Sequence, residues 1–314
     1  MRPIRIASRP SKLAMAQTHM MKAALETLSP GLEVSVVSIS TTGDRDRSDF
    51  LYKSQVQGLF TSEVENALLD KRADIAVHSL KDLPTSGAPE LFVVAMPPRE
   101  SAADVLVAGD TVTSLDALLA GTTVGTSSLR RIAQLKRARP DLDCVPLRGN
   151  VETRIGKVTS GEVGAAVMAH AGINRLGLSE HISAVLPMES FLPAPAQGVL
   201  AVQARKDDEE VVALVAQLDD PAARSAALAE REVLAAMHGG CSIPLGVYAQ
   251  IEGEILHLDA MIADLDGSTY IRRSLSAPLA ETTACAQHLA CDLLAAGGKK
   301  ILDQIRNGDD LGKE

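Results

Sequence analysis

Cys241 lies in Gly239-Gly240-Cys241-Ser242-Ile243-Pro244. The two glycines strip bulk from the approach to the sulfur, and Pro244 stiffens the chain three residues on. A thiol so placed can be reached by a bulky group and can bond to it, although a lone cysteine can equally fill a turn as a small inert residue. His238 could act as its base or as a second metal ligand. Glycines leave that geometry unheld, and two ligands without two more do not make a metal centre. Cys144, Cys285 and Cys291 show no metal-ligand or redox spacing.

Asp82 is the second candidate, in His78-Ser79-Leu80-Lys81-Asp82-Leu83-Pro84. A carboxylate there can stabilise a cation or shuttle a proton; as a plain turn residue ahead of Pro84 it would satisfy backbone N–H groups. Lys81 beside it reads either as part of the same site or as half of a surface ion pair. The third group is cationic. It comprises Arg130 and Arg131 after Gly125-Thr126-Ser127-Ser128-Leu129, Arg148 in Leu147-Arg148-Gly149-Asn150, Arg154, Arg175, and Arg9 with Ser11 near the N-terminus. The planar arginine fork binds two oxygens of a carboxylate or phosphate at once. Thr126, Ser127 and Ser128 are N-cap types, and a helix N-terminus offers N–H groups to an anion. Lys136, Arg137 and Arg139 read as a solvated helix face.

The elements that must position these groups alternate. Ile4 to Ala7 precedes a helical pattern from Lys12 to Leu28, and Val34 to Ile39 and Ile75 to Val77 follow as strands. A second series has strands at Thr122 to Val124, Cys144 to Leu147 and Ala165 to Met168. Each candidate cluster stands just after a strand. In an open parallel sheet those junctions converge on the ligand crevice, so the five arginines of the second series, Arg130, Arg131, Arg148, Arg154 and Arg175, are expected along one edge, facing an oligoanion. Met96 to Glu100 and Leu192 to Gly198 are the expected crossings between two α/β lobes around a cleft. After Pro221 come a helix from Ala222 to Met237, the Cys241 turn, strands broken by hairpin turns at Glu252-Gly253 and Asp266-Gly267, and an Ala-rich helix from about Leu279. The expected domains are 1–97 with 199–217, then 103–193, then a smaller α+β domain at 220–314.

Composition narrows the class. With 314 residues and 46% hydrophobic content, the chain is expected to divide into two or three domains. A net charge of -9 and 2% aromatic residues argue against a general nucleic-acid binder. No apolar run has membrane-spanning length, and Met1 to Ile6 enters a strand pattern directly, so a cytoplasmic protein without a membrane partner is expected. Nothing requires more than a monomer.

Six ordered motifs carry a resemblance: Arg9-Pro10-Ser11-Lys12-Leu13-Ala14, Ala76-Val77-His78-Ser79-Leu80-Lys81-Asp82, Gly125 to Arg131, Leu147 to Val151, Pro193 to Gly198, and Gly239-Gly240-Cys241. In that order, from about residue 4 into the C-terminal domain, the chain closely resembles the porphobilinogen deaminase family. The resemblance implies two periplasmic-binding-protein-like lobes around a cleft plus the smaller C-terminal α+β domain. It implies a transferase that joins four porphobilinogen molecules head to tail, releases ammonia and frees the linear tetrapyrrole hydroxymethylbilane with water. It also implies a dipyrromethane cofactor held by a thioether to Cys241, with Asp82 as the catalytic aspartate. By the same resemblance Ser79, Lys81, Asp82, Thr126, Ser127, Ser128, Arg130 and Arg131 match cofactor-binding positions, and Arg9, Ser11, Arg148, Arg154 and Arg175 match substrate-binding ones.

Some positions depart from the family pattern: Gln57 replaces a common lysine, Glu152 and Ala196 replace common glycines, and His238 replaces a common acid. The rival reading is a non-enzymatic, two-lobed carboxylate-binding protein of the solute-receptor type. A second rival is a thiol-nucleophile enzyme with His238 as base.

Overall fold

A computed structural model describes residues 2–41, 61–237 and 243–307. In chain order the first elements are β1 (Ile4–Ser8), α1 (Lys12–Leu28), β2 (Val34–Ser38), α2 (Ser62–Leu69), β3 (Ile75–Ser79), β4 (Leu91–Ala95) and β5 (Asp104–Ala108). Next come β6 (Thr123–Gly125), α3 (Leu129–Ala138), β7 (Asp143–Val145), α4 (Val151–Thr159), β8 (Ala165–Ala169), α5 (His170–Arg175) and β9 (Ala184–Val185). The rest are β10 (Leu200–Arg205), α6 (Glu209–Val215), α7 (Pro221–Ala236), β11 (Leu245–Glu252), β12 (Ile255–Ala263), β13 (Tyr270–Pro278), α8 (Thr282–Leu293) and α9 (Lys299–Asn307). The chain packs as two units, Met1–Glu100 with Gly198–Arg224, and Ser101–Gln197 with Ser225–Glu314.

In the first unit the sheet order is β2-β1-β3-β10-β4. β1, β2 and β3 are parallel, whereas β10 runs antiparallel to both β3 and β4. Helix α1 starts where Ser11 Oγ accepts from Ala14 N at 3.3 Å, and it buries Met21 and Leu25 among Ile4, Ile6, Ile75 and Val77. On the other sheet face, α2 sets Val64, Ala67 and Leu68 against Ala7 and Ala76. The period-2 alternation of strand side chains sends Ile75 and Val77 to one helix layer and Ala76 and His78 to the other.

The second unit repeats the plan in its sheet β7-β6-β8-β5-β9, with β5 antiparallel to β8 and β9. A third sheet, β11-β12-β13, is an antiparallel meander covered by α7, α8 and α9 through a core that includes Val233, Met237, Val247, Leu258 and Leu289. Gly253 and Gly267 take positive φ at its two hairpins, the turns expected from the sequence. The α/β architecture with a small C-terminal sheet-and-helix part is thus as expected. The sheets are mixed, however, and not wholly parallel. β10 completes the first sheet and β5 the second, each arriving by a crossing between units and each running against its neighbours.

Candidate functional site

The Asp82 turn is built by alternating burial. Leu80 and Leu83 are buried, Lys81 is half-buried and Asp82 is exposed. Leu80 N donates to Val199 O at 2.9 Å and Leu83 N to Leu80 O at 3.2 Å, so the backbone is fixed on both sides of the acid. Among the described residues the Asp82 carboxylate has no hydrogen bond or ion pair, which leaves both oxygens for a ligand. Behind the turn, Gln17 on α1 donates to Ser79 Oγ at 2.9 Å. On the opposite face, His78 meets Gln203 of β10. Burial, reinforced by the nearby charge of Arg9, pushes the His78 imidazole down to about 4. Arg9 is half-buried after β1, and Ser11 beside it caps α1.

The second unit holds its arginines in two different ways. Arg130 and Arg131 lie in the first turn of α3 with side chains 4% and 8% exposed, and both reach Asp104 at the start of β5. Arg130 Nη1 donates to Asp104 Oδ2 and to Leu192 O, both at 2.7 Å, and Arg131 Nη1 donates to Val167 O at 3.0 Å. Gln197 Nε2 adds a hydrogen bond to Asp104 Oδ1 at 2.9 Å. Burial pushes the Asp104 carboxyl up, but the charges of Arg130 and Arg131 outweigh it and hold the group far below the usual range. Burial in turn pulls the Arg130 guanidinium down, against the pull of Asp104. Two cations share one carboxylate here, so the cluster carries one positive charge in excess. Arg130 Nε is buried without a hydrogen-bond partner among the described residues.

Arg148 is held differently. Ser127 Oγ donates to Leu147 O at 3.1 Å and accepts from Leu147 N at 3.2 Å, clamping the turn after β6 to the one that carries Arg148. The approach is close enough that a Cβ on Gly125 would meet Leu147 Cδ2 at 2.7 Å. Gly149 follows at φ +110, and Asn150 caps α4 by accepting from Thr153 N at 2.8 Å. Within this frame Arg148 is half-buried, makes no hydrogen bond or ion pair among the described residues, and buries its Nε unpartnered. Arg154 Nε donates to Gly149 O at 2.9 Å, and Arg175 ends α5, half-buried. Thr126 Oγ1 accepts from Ser128 N at 3.2 Å. Ser127 and Thr126 therefore spend hydrogen-bonding capacity on building the turns.

Cys241, with His238 and Gln57, lies outside the described residues. The segments flanking Cys241 are firmly placed. Met237 is fully buried, and Glu230 on α7 is fully buried while accepting from Ala196 N at 2.5 Å and Ala249 N at 2.8 Å. One carboxylate thus ties α7, β11 and the Pro193-to-Ala196 passage together, and Val247 N adds a bond to Pro193 O at 3.0 Å. Gly246 lets them approach, since a Cβ there would lie 2.8 Å from Leu192 Cβ. Burial pushes the thiols of Cys144 and Cys285 up, away from the reactive thiolate. Among the described residues no group of three or more His, Cys, Asp or Glu could hold a metal ion.

Sequence reasoning missed Asp104, Gln197, Gln203 and Glu230. For Asp104, Gln197 and Gln203 the signal available was a single acid or amide inside an otherwise apolar segment, which must find a partner when buried; Glu230, followed by Arg231 and Glu232, carries no such signal.

Residues 4–213 match the family domain described as "Porphobilinogen deaminase, dipyromethane cofactor binding domain", and residues 225–295 match "Porphobilinogen deaminase, C-terminal domain". The chain belongs to the porphobilinogen deaminase family. It is 45% identical to the porphobilinogen deaminase of Roseiflexus castenholzii, over 95% of this chain and 97% of that one. It is 43% identical to the porphobilinogen deaminase of Maridesulfovibrio salexigens, over 97% of this chain and 99% of that one. Among solved structures, the Bordetella pertussis BvgS periplasmic VFT2 domain is 15% identical with a TM-score of 0.40, over 68% of this chain and 86% of that one. The donor set suits the group for which the first porphobilinogen deaminase domain is named. Within the second unit, an Arg148 without a partner among the described residues and an Arg130–Arg131–Asp104 cluster with excess positive charge suit a ligand that carries carboxylates.

Proposed function

We propose that this chain is a hydroxymethylbilane synthase that condenses four porphobilinogen molecules head to tail on a covalently bound dipyrromethane primer, releases ammonia and then hydrolyses off the linear tetrapyrrole. The observation that carries the reading is the match to both domains of the porphobilinogen deaminase family, in order and over nearly the whole chain. The carboxylate-binding-protein alternative is not favoured, because the match includes the C-terminal domain. A thiol enzyme using His238 as base gains no support from it either.

The residues divide the work. Cys241 anchors the primer through a thioether, bonding once during assembly. When bound, the dipyrromethane supplies the pyrrole end to which each new ring is joined. Arg130, Arg131, Lys81, Ser79, Thr126, Ser127 and Ser128 serve the primer, the last three largely by shaping the turns. Arg9, Ser11, Arg148, Arg154 and Arg175 serve incoming porphobilinogen, whose acetate and propionate each call for a cation. Asp82 faces two demands at the reacting centre. A departing amine needs a proton, and the pyrrole cation it leaves behind needs an anion; one carboxyl group meets both when its acid form gives the proton to the leaving ammonia and the carboxylate so formed offsets the cation.

The domain boundaries belong to this proposal: 1–97 with 199–217, 103–193 and 220–314. So do a cytoplasmic location, a monomeric state and the absence of membrane and nucleic-acid partners. Among the described residues no helix is long and apolar enough to cross a membrane. The test is intact mass together with turnover. The active protein should exceed its chain mass by two porphobilinogen units less their ammonia, with the adduct on the peptide containing Cys241, and should make hydroxymethylbilane from porphobilinogen. An active protein of unmodified mass would remove the tether.

A further inference from the structure

A chain of three polar side chains crosses the first unit behind the Asp82 turn. The His78 ring is 7% exposed and the Gln203 side chain lies in a residue 4% exposed. His78 Nε2 stands 3.2 Å from Gln203 Oε1, and Gln203 Nε2 stands 2.8 Å from Glu65 Oε1 in the first turn of α2. Gly87, five residues past Asp82, lies beside Glu65.

Polarity along this chain has one consistent assignment. An ionised carboxylate only accepts hydrogen bonds, so Gln203 must turn its NH2 group toward Glu65 and its oxygen toward His78. An amide oxygen there requires a hydrogen on Nε2, which leaves Nδ1 as the unprotonated nitrogen. We infer that Glu65, acting through Gln203, selects the neutral Nε2–H tautomer of His78 and so fixes the end of β3 from which Asp82 is presented, making Glu65, Gln203 and His78 positioning residues for the reaction. The inference rests on the reading of Asp82 as the catalytic carboxylate.

The surroundings agree. The charged groups facing this ring are Glu65 from α2, through the amide, and Arg9 from the turn after β1; β10 offers the neutral Gln203, and α1 offers the neutral Gln17 on the Ser79 face. Burial and Arg9 both oppose a proton on the imidazole, and Gln203 only partly favours one. A neutral ring adds no second cation beside Arg9. An apolar residue would fill the same space, but it could not tie the β3 end to α2 through β10.

The test uses the cofactor-loaded protein with 15N-labelled histidine. Of the seven histidines, His78 is identified by the signal missing from His78→Gln. At pH 7 its Nε2 should show the protonated-type shift and Nδ1 the unprotonated-type one, unchanged down to pH 5. An Nδ1–H tautomer or an imidazolium at pH 7 overturns the inference. In Glu65→Gln the new amide can donate or accept, so Gln203 loses its instruction. That variant should show mixed His78 tautomers and a kcat about tenfold lower, the rate equivalent of one hydrogen bond to a charged group, with KM changed by less than about twofold. An unaltered tautomer, or an unchanged kcat in the folded variant, also overturns it. If the wild-type protein makes no hydroxymethylbilane, the Asp82 reading fails, while the tautomer result stands independently.

Discussion

Arg131 grips one oxygen of Asp104 twice, through Nε at 3.2 Å and Nη2 at 2.7 Å, which leaves the other oxygen to Arg130. The two arginines thus depend on a single acid for their charge balance. Exposed salt bridges contribute little, but removing one partner from a buried set strands the others without water. Asp104→Asn should therefore destabilise the protein by about 3–5 kcal/mol in urea unfolding. A loss below about 1 kcal/mol, the size of an exposed pair, would mean that water reaches the cluster.

Arg148 should behave oppositely, because no partner among the described residues is lost with it. Arg148→Ala is expected to keep stability within about 0.5 kcal/mol while raising KM for porphobilinogen by roughly tenfold to a hundredfold, one charge-assisted hydrogen-bonded contact. Arg148→Lys should restore only part of this, since an ammonium cannot reproduce the fork. A normal KM in Arg148→Ala would take the residue out of the substrate site.

These two positions show what was legible in the sequence. Arg130, Arg131 and Arg148 all follow strands, and that local pattern places them at βα junctions. It cannot distinguish an arginine consumed by Asp104 from one left unpartnered, because the partner comes from β5, some 26 residues upstream in the chain. Helix α1 was legible to the residue, from Lys12 to Leu28, because Ser11 caps it and its buried positions recur with helical spacing. The hairpins at Gly253 and Gly267 were legible for the same local reason. The reversed direction of β5 and β10 was not, since strand polarity within a sheet is decided by which distant segment inserts, and no residue inside the strand records it. The pairing of the Ser127 hydroxyl with Leu147 was not legible either, because it joins turns 20 residues apart in the chain.

Acid should weaken the fold in two steps. His78 takes a proton near pH 4 when folded and near 6.5 when unfolded, so between those values the unfolded chain binds more protons and stability rises with pH. The contribution is complete above pH 6.5 and is lost by about pH 4, on the order of 3 kcal/mol. Burial pushes Asp74 up, but hydrogen bonds from Arg5 and Arg2 hold it at about 2 against an ordinary 3.8, so its share is present above pH 3.8 and lost toward pH 2. Urea midpoints measured from pH 7 to pH 4 should fall, and the first step should disappear in His78→Gln. An equal fall in that variant would assign the first step to other groups.

Glu230 gives a test of whether the proposed attachment at Cys241 depends on the packing of α7 and β11. Glu230→Leu leaves Ala196 N and Ala249 N buried without their acceptor, at a cost of about 1–3 kcal/mol for each. The Pro193-to-Ala196 passage then keeps its Val247 N–Pro193 O bond to β11 but loses its tie to α7 through Glu230. Intact mass should show a smaller fraction of chains carrying the dipyrromethane adduct, although Cys241 is unchanged. Full loading with unchanged stability would show that Glu230 has no part in holding this segment.

Asp82→Asn separates anchoring from chemistry. The carboxylate is exposed and makes no hydrogen bond or ion pair among the described residues, so replacing it with an isosteric amide should leave the unfolding midpoint unchanged. In the proposed function the cofactor is attached through Cys241, so the adduct should still appear in the intact mass. Turnover should fall by about 10²–10⁴-fold, the range expected when a positioned proton donor and its charge are removed, because an amide can neither deliver a proton to the departing amine nor offset a pyrrole cation. The loss should appear in kcat more than in KM, since the arginines proposed to hold the substrate carboxylates are untouched. Near-normal turnover in a fully loaded Asp82→Asn would remove Asp82 from the mechanism and leave the arginines as a binding site in search of its acid.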